Sequence, residues 1–197
     1  MPAPLTVAIY APSGSGKSQL AKRAAITLGQ DIASRVAVDT FLIPRPTDMA
    51  REAFDRLPLR YDWDLLAARL TLPIGTETSA PDVDFDRFTR RAETGGPAFV
   101  IRMVMLLDAM EPYPAADARV LLAVPEAVRL TRIAERDIRW GTNVRERTGH
   151  LNATWERVER LGIEPDLVLD GLLPLEENAE RLAAWTRTQG ALSAGMG

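Results

Sequence analysis

The sequence predicts an α/β domain in which a five-stranded parallel sheet is sandwiched by helices. Three observations lead there. Five short apolar runs, Thr6–Tyr10, Val36–Val38, Ala98–Ile101, Val120–Val124 and Leu167–Leu169, are aliphatic without alternation, as strands covered on both faces require. Helical patterns separate them, which indicates βαβ units with function at the carboxyl ends of the strands. The 197 residues suit one compact unit at about 150 residues per domain, so residues 1–197 are read as a single domain.

Taken in order, Thr6–Tyr10 leads into a helix over Lys17–Gly29, and Val36–Val38 follows. Residues 44–97, rich in Pro, Asp and Arg, hold one helical pattern, Trp63–Leu70, and are too long for an idle connection, so they are expected to build a pocket. The third strand is Ala98–Ile101, with an extension to Leu107 left open. Val120–Val124 leads to a helix over Glu126–Trp140, a second over Asn152–Leu161, the strand Leu167–Leu169 and a last helix over Glu176–Thr188.

Composition narrows the chemistry. With 24 basic and 27 acidic residues, a net charge of -3, there is no global electrostatic attraction to nucleic acid or an anionic membrane. No cysteine is present, which excludes disulfides, thiolate metal sites and cysteine nucleophiles. The first residues carry no basic leader, and the apolar run Leu5–Ala11 is too short for a signal or a membrane span, so a cytoplasmic protein is expected. Only Lys17 and Lys22 among the basic residues are lysines, and the first falls in the motif described next.

Residues 11–18 read APSGSGKS between a strand and a helix, the context of a phosphate-binding loop and hence of the P-loop NTPase fold. Gly14 and Gly16 permit the dihedrals and close approach that let successive N–H groups, from Ser13 through Ser15 to Gln19, surround phosphates at a helix N-terminus. Lys17 would neutralise the β- and γ-phosphates, and the Ser18 hydroxyl would ligate Mg²⁺. Ala11 replaces the usual first glycine, which is tolerable if its φ is negative; Pro12 removes an N–H and stiffens the loop. The expected ligands are ATP or GTP with Mg²⁺.

The second strand ends in RVAVDTF, which sets Asp39 at a carboxyl edge beside the loop. A carboxylate there can orient and deprotonate an attacking hydroxyl, or hold the metal's water shell. Downstream, Arg129, Arg132, Arg136 and Arg139 recur at three- and four-residue steps along one face of the predicted helix, an arginine-bearing lid over about 129–150.

These residues resemble the uridine kinase-like group of P-loop small-molecule kinases over about Leu5 to Gly171. The resemblance rests on Asp39-Thr40-Phe41, on YDWD at Tyr61–Asp64, on PDVDF at Pro81–Phe85, and on the RxxxRD element from Arg132 to Asp137. It implies transfer of a nucleoside triphosphate's γ-phosphoryl group to a hydroxyl of a nucleoside-like acceptor, with residues 44–97 as the acceptor-binding insertion. It further implies Asp39 as base, Lys17, Arg132 and Arg136 on phosphoryl charge, Ser18 and Asp39 at the metal, and Tyr61, Asp64, Asp84, Phe85 and Arg90 near the acceptor.

The sequence departs from the group's pattern at three places. Val83 and Phe88 stand where a tyrosine and a histidine that read a pyrimidine base would be, so a different acceptor or a looser pocket is expected. Arg102-Met103 stands where a glutamate-glycine pair would close the third strand. Two readings stay open: the strand runs to Leu107 and ends in Asp108, a metal-side acid, or it ends early and Arg102 contacts phosphate or pairs with Asp39. The second fits a strand of about four or five residues. His150 is read as a loop or cap residue, and Trp140 and Trp155 as packing anchors.

The reading is therefore a kinase using ATP or GTP with Mg²⁺ on a small-molecule acceptor, without nucleic acid or membrane partners and with homo-oligomer formation left open. A kinase of a non-nucleoside alcohol such as a sugar, vitamin precursor or antibiotic is the first alternative. A nucleotide-binding regulatory protein without transferase activity is the second.

Overall fold

The computed structural model describes residues 3–85, 87–140 and 144–194, with the side chains of 136–140, 144–148 and 190–194 outside the description. Strand β1 (Leu5–Tyr10), helix α1 (Lys17–Leu28) and strand β2 (Ala33–Ala37) open the fold, and a 3-10 turn (Val38–Phe41) follows. Next come α2 (Arg51–Phe54), α3 (Trp63–Leu70), and the strands β3 (Glu77–Asp84), β4 (Thr89–Val100) and β5 (Val104–Ala109). The chain continues through β6 (Ala118–Ala123), α4 (Glu126–Trp140), α5 (Val144–Arg160), β7 (Leu167–Asp170) and α6 (Leu175–Ala194).

Five strands form the expected parallel sheet in the order β2-β5-β1-β6-β7. Every residue of β1 from Thr6 is buried, as befits a central strand clad on both sides. One face packs on α1 and α6 through Val7, Ile9, Leu20, Ala24, Leu106, Val120 and Leu182. The other packs Ala8, Val36, Met105 and Leu107 against Phe41, Tyr61, Leu66 and Phe99. Successive residues of one strand serve opposite faces, the period-two rule applied to an entirely apolar run. Helix α1 offers the sheet Leu20, Ala21, Ala24 and Leu28 and stops at Gly29, whose φ of 107° lets its N–H return to the carbonyls of Ala25 and Ile26.

The sequence reading needs four corrections. Val38 opens the 3-10 turn, and β2 instead begins at Ala33. Residues Ala98–Val100 close β4, part of a two-stranded antiparallel ribbon with β3, while the sheet strand is Val104–Ala109. The apolar stretch from Ala98 to Leu107 is thus two strands, and Arg102 marks the break between them. The region 44–97 accordingly holds α2, α3 and the ribbon. Lastly, α5 begins well before Asn152, so His150 is a buried helical residue and not a loop or cap residue.

Among the described residues no helix is long and apolar enough to cross a membrane.

Candidate active site

The loop between β1 and α1 has the backbone that its glycines imply, with φ of 81° at Gly14 and 94° at Gly16. Ala11 has no positive φ and is fully buried in the α1-side core, so its methyl group is packing and not obstruction. The Ser15 N–H closes a turn onto the Pro12 carbonyl at 3.4 Å. Gly16 precedes the first helical residue, so the first N–H groups of α1 have no helical acceptor, and that of Lys17 reaches the Ser15 Oγ at 3.4 Å. Lys17 is 7% exposed, and among the described residues its ammonium has no ion-pair partner. A buried cation with no direct ion pair among the described residues, only the field of Asp39, fits an anionic ligand, and this is the observation on which the loop suits phosphate.

Asp39 lies in the 3-10 turn at the carboxyl edge of the sheet. Its Oδ1 accepts a hydrogen bond from the Tyr61 hydroxyl at 3.1 Å, and that hydroxyl accepts the Met110 N–H at 3.3 Å. Burial raises the Asp39 carboxyl above its ordinary range; Lys17 opposes this, Asp108 adds to it, and Tyr61 and Arg35 pull it down. Burial and the Asp39 charge push the Tyr61 phenol well above its usual value, so it remains protonated and donates.

The structure resolves the question of the third strand's acid. Arg102 lies just before Val104, which pairs with Leu5 and Ala33 at the starts of their strands. It is therefore at the amino edge of the sheet, the opposite end from Asp39, and cannot contact phosphate or pair with Asp39. The acid at the carboxyl end is Asp108, in register with Ile9 and Ala37. Both its oxygens are taken by one guanidinium: Arg35 Nε donates to Oδ1 at 2.6 Å and Nη2 to Oδ2 at 2.8 Å.

Beside Asp39, Tyr61 stacks on Trp63 with ring centroids 4.7 Å apart, and Trp63 meets Tyr113 at 5.6 Å. Arg90 is drawn inward, donating to Asp62 at 2.9 Å and to the Leu42 carbonyl at 3.2 Å. Within YDWD it is thus Asp62 that holds Arg90 while capping α3 through the Leu65 N–H; Asp64 is exposed on the first turn. Asp84 ends β3 and Phe85 follows it at the turn of the ribbon; Asp84 accepts from Arg87 N–H and Arg91, and Phe85 is 41% exposed. Phe88, at a left-handed φ of 51°, is packed between Phe54 and His150. It is a core residue and lines no open acceptor surface.

Helix α4 covers the loop. A Cβ on Gly14 would lie 2.6 Å from the Arg129 carbonyl oxygen, so the glycine is required by contact as well as by φ. Arg129 donates to the Ser13 carbonyl, and Arg132 to the carbonyls of Ser15 and Gly171. The two arginines brace the loop from its carbonyl side. The Arg136 side chain and Trp140 lie outside the described side chains. Trp155, read as a packing anchor, is partly buried against the core that holds Phe41, Phe54 and Phe88, and donates to Glu159.

A cleft of about 240 Å³ opens beside Gly16 and Gln19, walled by Arg132, Gly171 and Asn178. A larger one of about 920 Å³ lies between α4 and α5 next to Pro12 and Ser13. Among the described residues no group of three acidic or imidazole side chains is placed to hold a metal by itself. The sequence's candidates for a hard cation, the Ser18 hydroxyl and the carboxylate of Asp39, would fit Mg²⁺ only if phosphate oxygens completed the set.

Sequence reasoning overlooked Arg35 and Asp62, both single charges whose partners are distant in the chain. It also overlooked Glu111, 4% exposed and bound through Oε1 to Arg157, with its carboxyl raised by burial.

The parallel sheet order and the glycine loop at the end of its central strand define a P-loop α/β protein. No protein-family profile and no curated protein matches the sequence. Solved structures match it in fold. A candidate fructose transport system kinase from Silicibacter sp. TM1040 has 23% identity and a TM-score of 0.64, covering 86% of this chain and 91% of that one. A candidate uridine kinase from Bacillus stearothermophilus has 18% identity and a TM-score of 0.51, covering 86% and 90%. A gluconokinase from Sinorhizobium meliloti 1021 has 18% identity and a TM-score of 0.51, covering 96% and 99%. At these identities the likeness establishes the shared fold.

Proposed function

We propose that this chain is an ATP-dependent phosphotransferase that moves the γ-phosphoryl group to a hydroxyl of a small molecule. The observation that carries the reading is the pairing across the carboxyl edge of the sheet: a buried Lys17 with no direct ion pair among the described residues, and Asp39 held by Tyr61 within its field. One group awaits phosphate, and the other is fit to receive a hydroxyl proton.

In this reading the triphosphate lies against residues 13–19 at the N-terminus of α1 with Lys17 on its β- and γ-oxygens, and its base enters the cleft beside Gln19 and Gly171. The acceptor approaches over the Tyr61–Trp63 stack, with residues 44–97 forming its seat, and Arg90 is available to its hydroxyls. Asp39 takes the proton as the acceptor oxygen bonds to the γ-phosphorus and the bond to the β-phosphate oxygen breaks, releasing ADP. A carboxyl raised above its ordinary range is a better base near neutral pH than an unperturbed one. Mg²⁺ would be held by Ser18 and, through its water shell, by Asp39 together with the nucleotide, and would neutralise phosphate charge. Residues 129–150 act as lid, with Arg132 and Arg136 on the transferring group; Arg132 would exchange a carbonyl partner for phosphate.

A nucleoside-like acceptor follows from the motif resemblance. A sugar is the second reading, favoured by Phe88: where a base-reading histidine would stand, the side chain is buried against Phe54 and His150 and offers no hydrogen bond. Fold likeness to proteins described as fructose, uridine and gluconate kinases supports a hydroxylated acceptor in either case.

The test is acceptor-dependent ADP release over a panel of nucleosides, sugars and cofactor precursors. One class should give turnover that falls at least about 100-fold in Lys17→Ala and Asp39→Asn. Tight ATP binding without turnover on any acceptor would replace this reading with a regulatory nucleotide-binding protein.

A further inference from the structure

The Arg35–Asp108 pair lies at the carboxyl edge of the sheet, where both charges act on Asp39, and nothing in the mechanism above uses it. Arg35 and Asp108 sit on adjacent parallel strands with Ala37 opposite Asp108, so the guanidinium reaches diagonally along the sheet. The alternation that sends Val36 and Leu107 to one core sends Arg35 and Asp108 to the face that carries α1 and the start of the loop. Asp108 is 2% exposed and Arg35 22%. The bond is bidentate, the geometry in which a planar guanidinium satisfies a carboxylate fully.

A free Asp108 would change the site's character. It shares the field of Asp39, and the two would make a pair of carboxylates at the carboxyl edge of the sheet. Hard divalent cations are bound more tightly as carboxylate charge is added to a site. Arg35 cancels one of those charges and occupies both of its oxygens.

We propose that Arg35 withholds Asp108 from the metal, so that the cation is admitted only together with the nucleotide and is not held by the empty protein. Arg35 is then a positioning residue that enforces a coupled entry of metal and triphosphate. The inference rests on the nucleotide reading for its consequence. Its central measurement is made without nucleotide and stands apart from that reading.

The experiment is Mn²⁺ titration of the full chain followed by the free-ion electron paramagnetic resonance signal. Wild type should bind weakly in the absence of nucleotide. Arg35→Met should bind at least about tenfold more tightly, and Arg35→Met/Asp108→Asn should return to the wild-type value. Equal affinity of wild type and Arg35→Met, or a gain that survives in the double variant, would overturn the proposal. Arg35→Met leaves a buried carboxylate alone and can fail to fold, so Asp108→Asn is measured as well. With ATP present, its Mn²⁺ affinity should stay within about twofold of wild type, whereas a tenfold weakening would put Asp108 in the metal's shell and overturn the proposal. Metal-free ATP binding, followed by tryptophan fluorescence, reports separately on the nucleotide reading.

Discussion

Removing the Tyr61 hydroxyl perturbs the proposed base without touching it. In Tyr61→Phe the Asp39 carboxylate loses a donor at 3.1 Å, and the Met110 N–H loses its acceptor at 3.3 Å. A hydrogen bond to a charged group contributes about 1.5–3 kcal/mol, which if fully expressed in the transition state is roughly 10- to 150-fold in kcat/KM. The stranded Met110 amide costs about 1–3 kcal/mol of stability, measured by urea or thermal unfolding. The pH dependence gives the sharper readout. Burial already raises the Asp39 carboxyl and the Tyr61 bond pulls it down, so the variant moves it further up. A base works ionised, so the acid limb of kcat/KM shifts to higher pH. The stability sign agrees: a raised carboxyl favours the fold below its unfolded pKa and loses that contribution as pH rises through the folded value. The Tyr61→Phe penalty is therefore larger near neutrality than in acid. An acid limb that stays in place or moves to lower pH would refute the assignment of Asp39 as the base steadied by Tyr61.

Three further outcomes are expected. Gly14→Ala combines a φ of 81° with a methyl group 2.6 Å from the Arg129 carbonyl, so α4 must lift from the loop and ATP affinity should fall at least about tenfold by calorimetry. Gly149→Ala would bring a Cβ to 2.5 Å from the Asp55 carbonyl, at a cost of about 1–3 kcal/mol in thermal unfolding, with ATP affinity unchanged. Arg90→Met removes the partly buried ion pair to Asp62 and should raise the acceptor KM about tenfold while leaving the KM for ATP within about twofold.

Local signals carried most of the fold. The β1–loop–α1 unit, α3 and α4 are legible because their apolar periods, glycines and lysine lie within about 20 residues of one another. The ribbon was illegible because β3 is only partly buried and β4 mostly exposed, both rich in polar residues, with Pro81, Gly95 and Gly96 interrupting any alternation. The third strand was misplaced because Ala98–Leu107 is apolar on both sides of Arg102, and one charge does not say whether it lies within a strand or between two. Asp39 could be read from its position after an apolar run. Asp108 has the same signature, but its partner Arg35 is 73 residues away and no local pattern joins them.

The sheet separates two hydrophobic layers, and the two halves of the proposed reaction rest on different ones. Ala11 and Leu20, which seat the phosphate loop, belong to the layer shared with α6. Phe41, Tyr61 and Met110, which flank or steady Asp39, belong to the other, with Leu66, Phe88 and Phe99. Side chains that share no partner contribute to stability nearly additively. Repacking the second layer can thus reshape what the chain accepts while the grip on the donor stays constant. A P-loop protein built this way has one fixed handle and one interchangeable tool head, and the sheet is the joint that keeps their energetics apart.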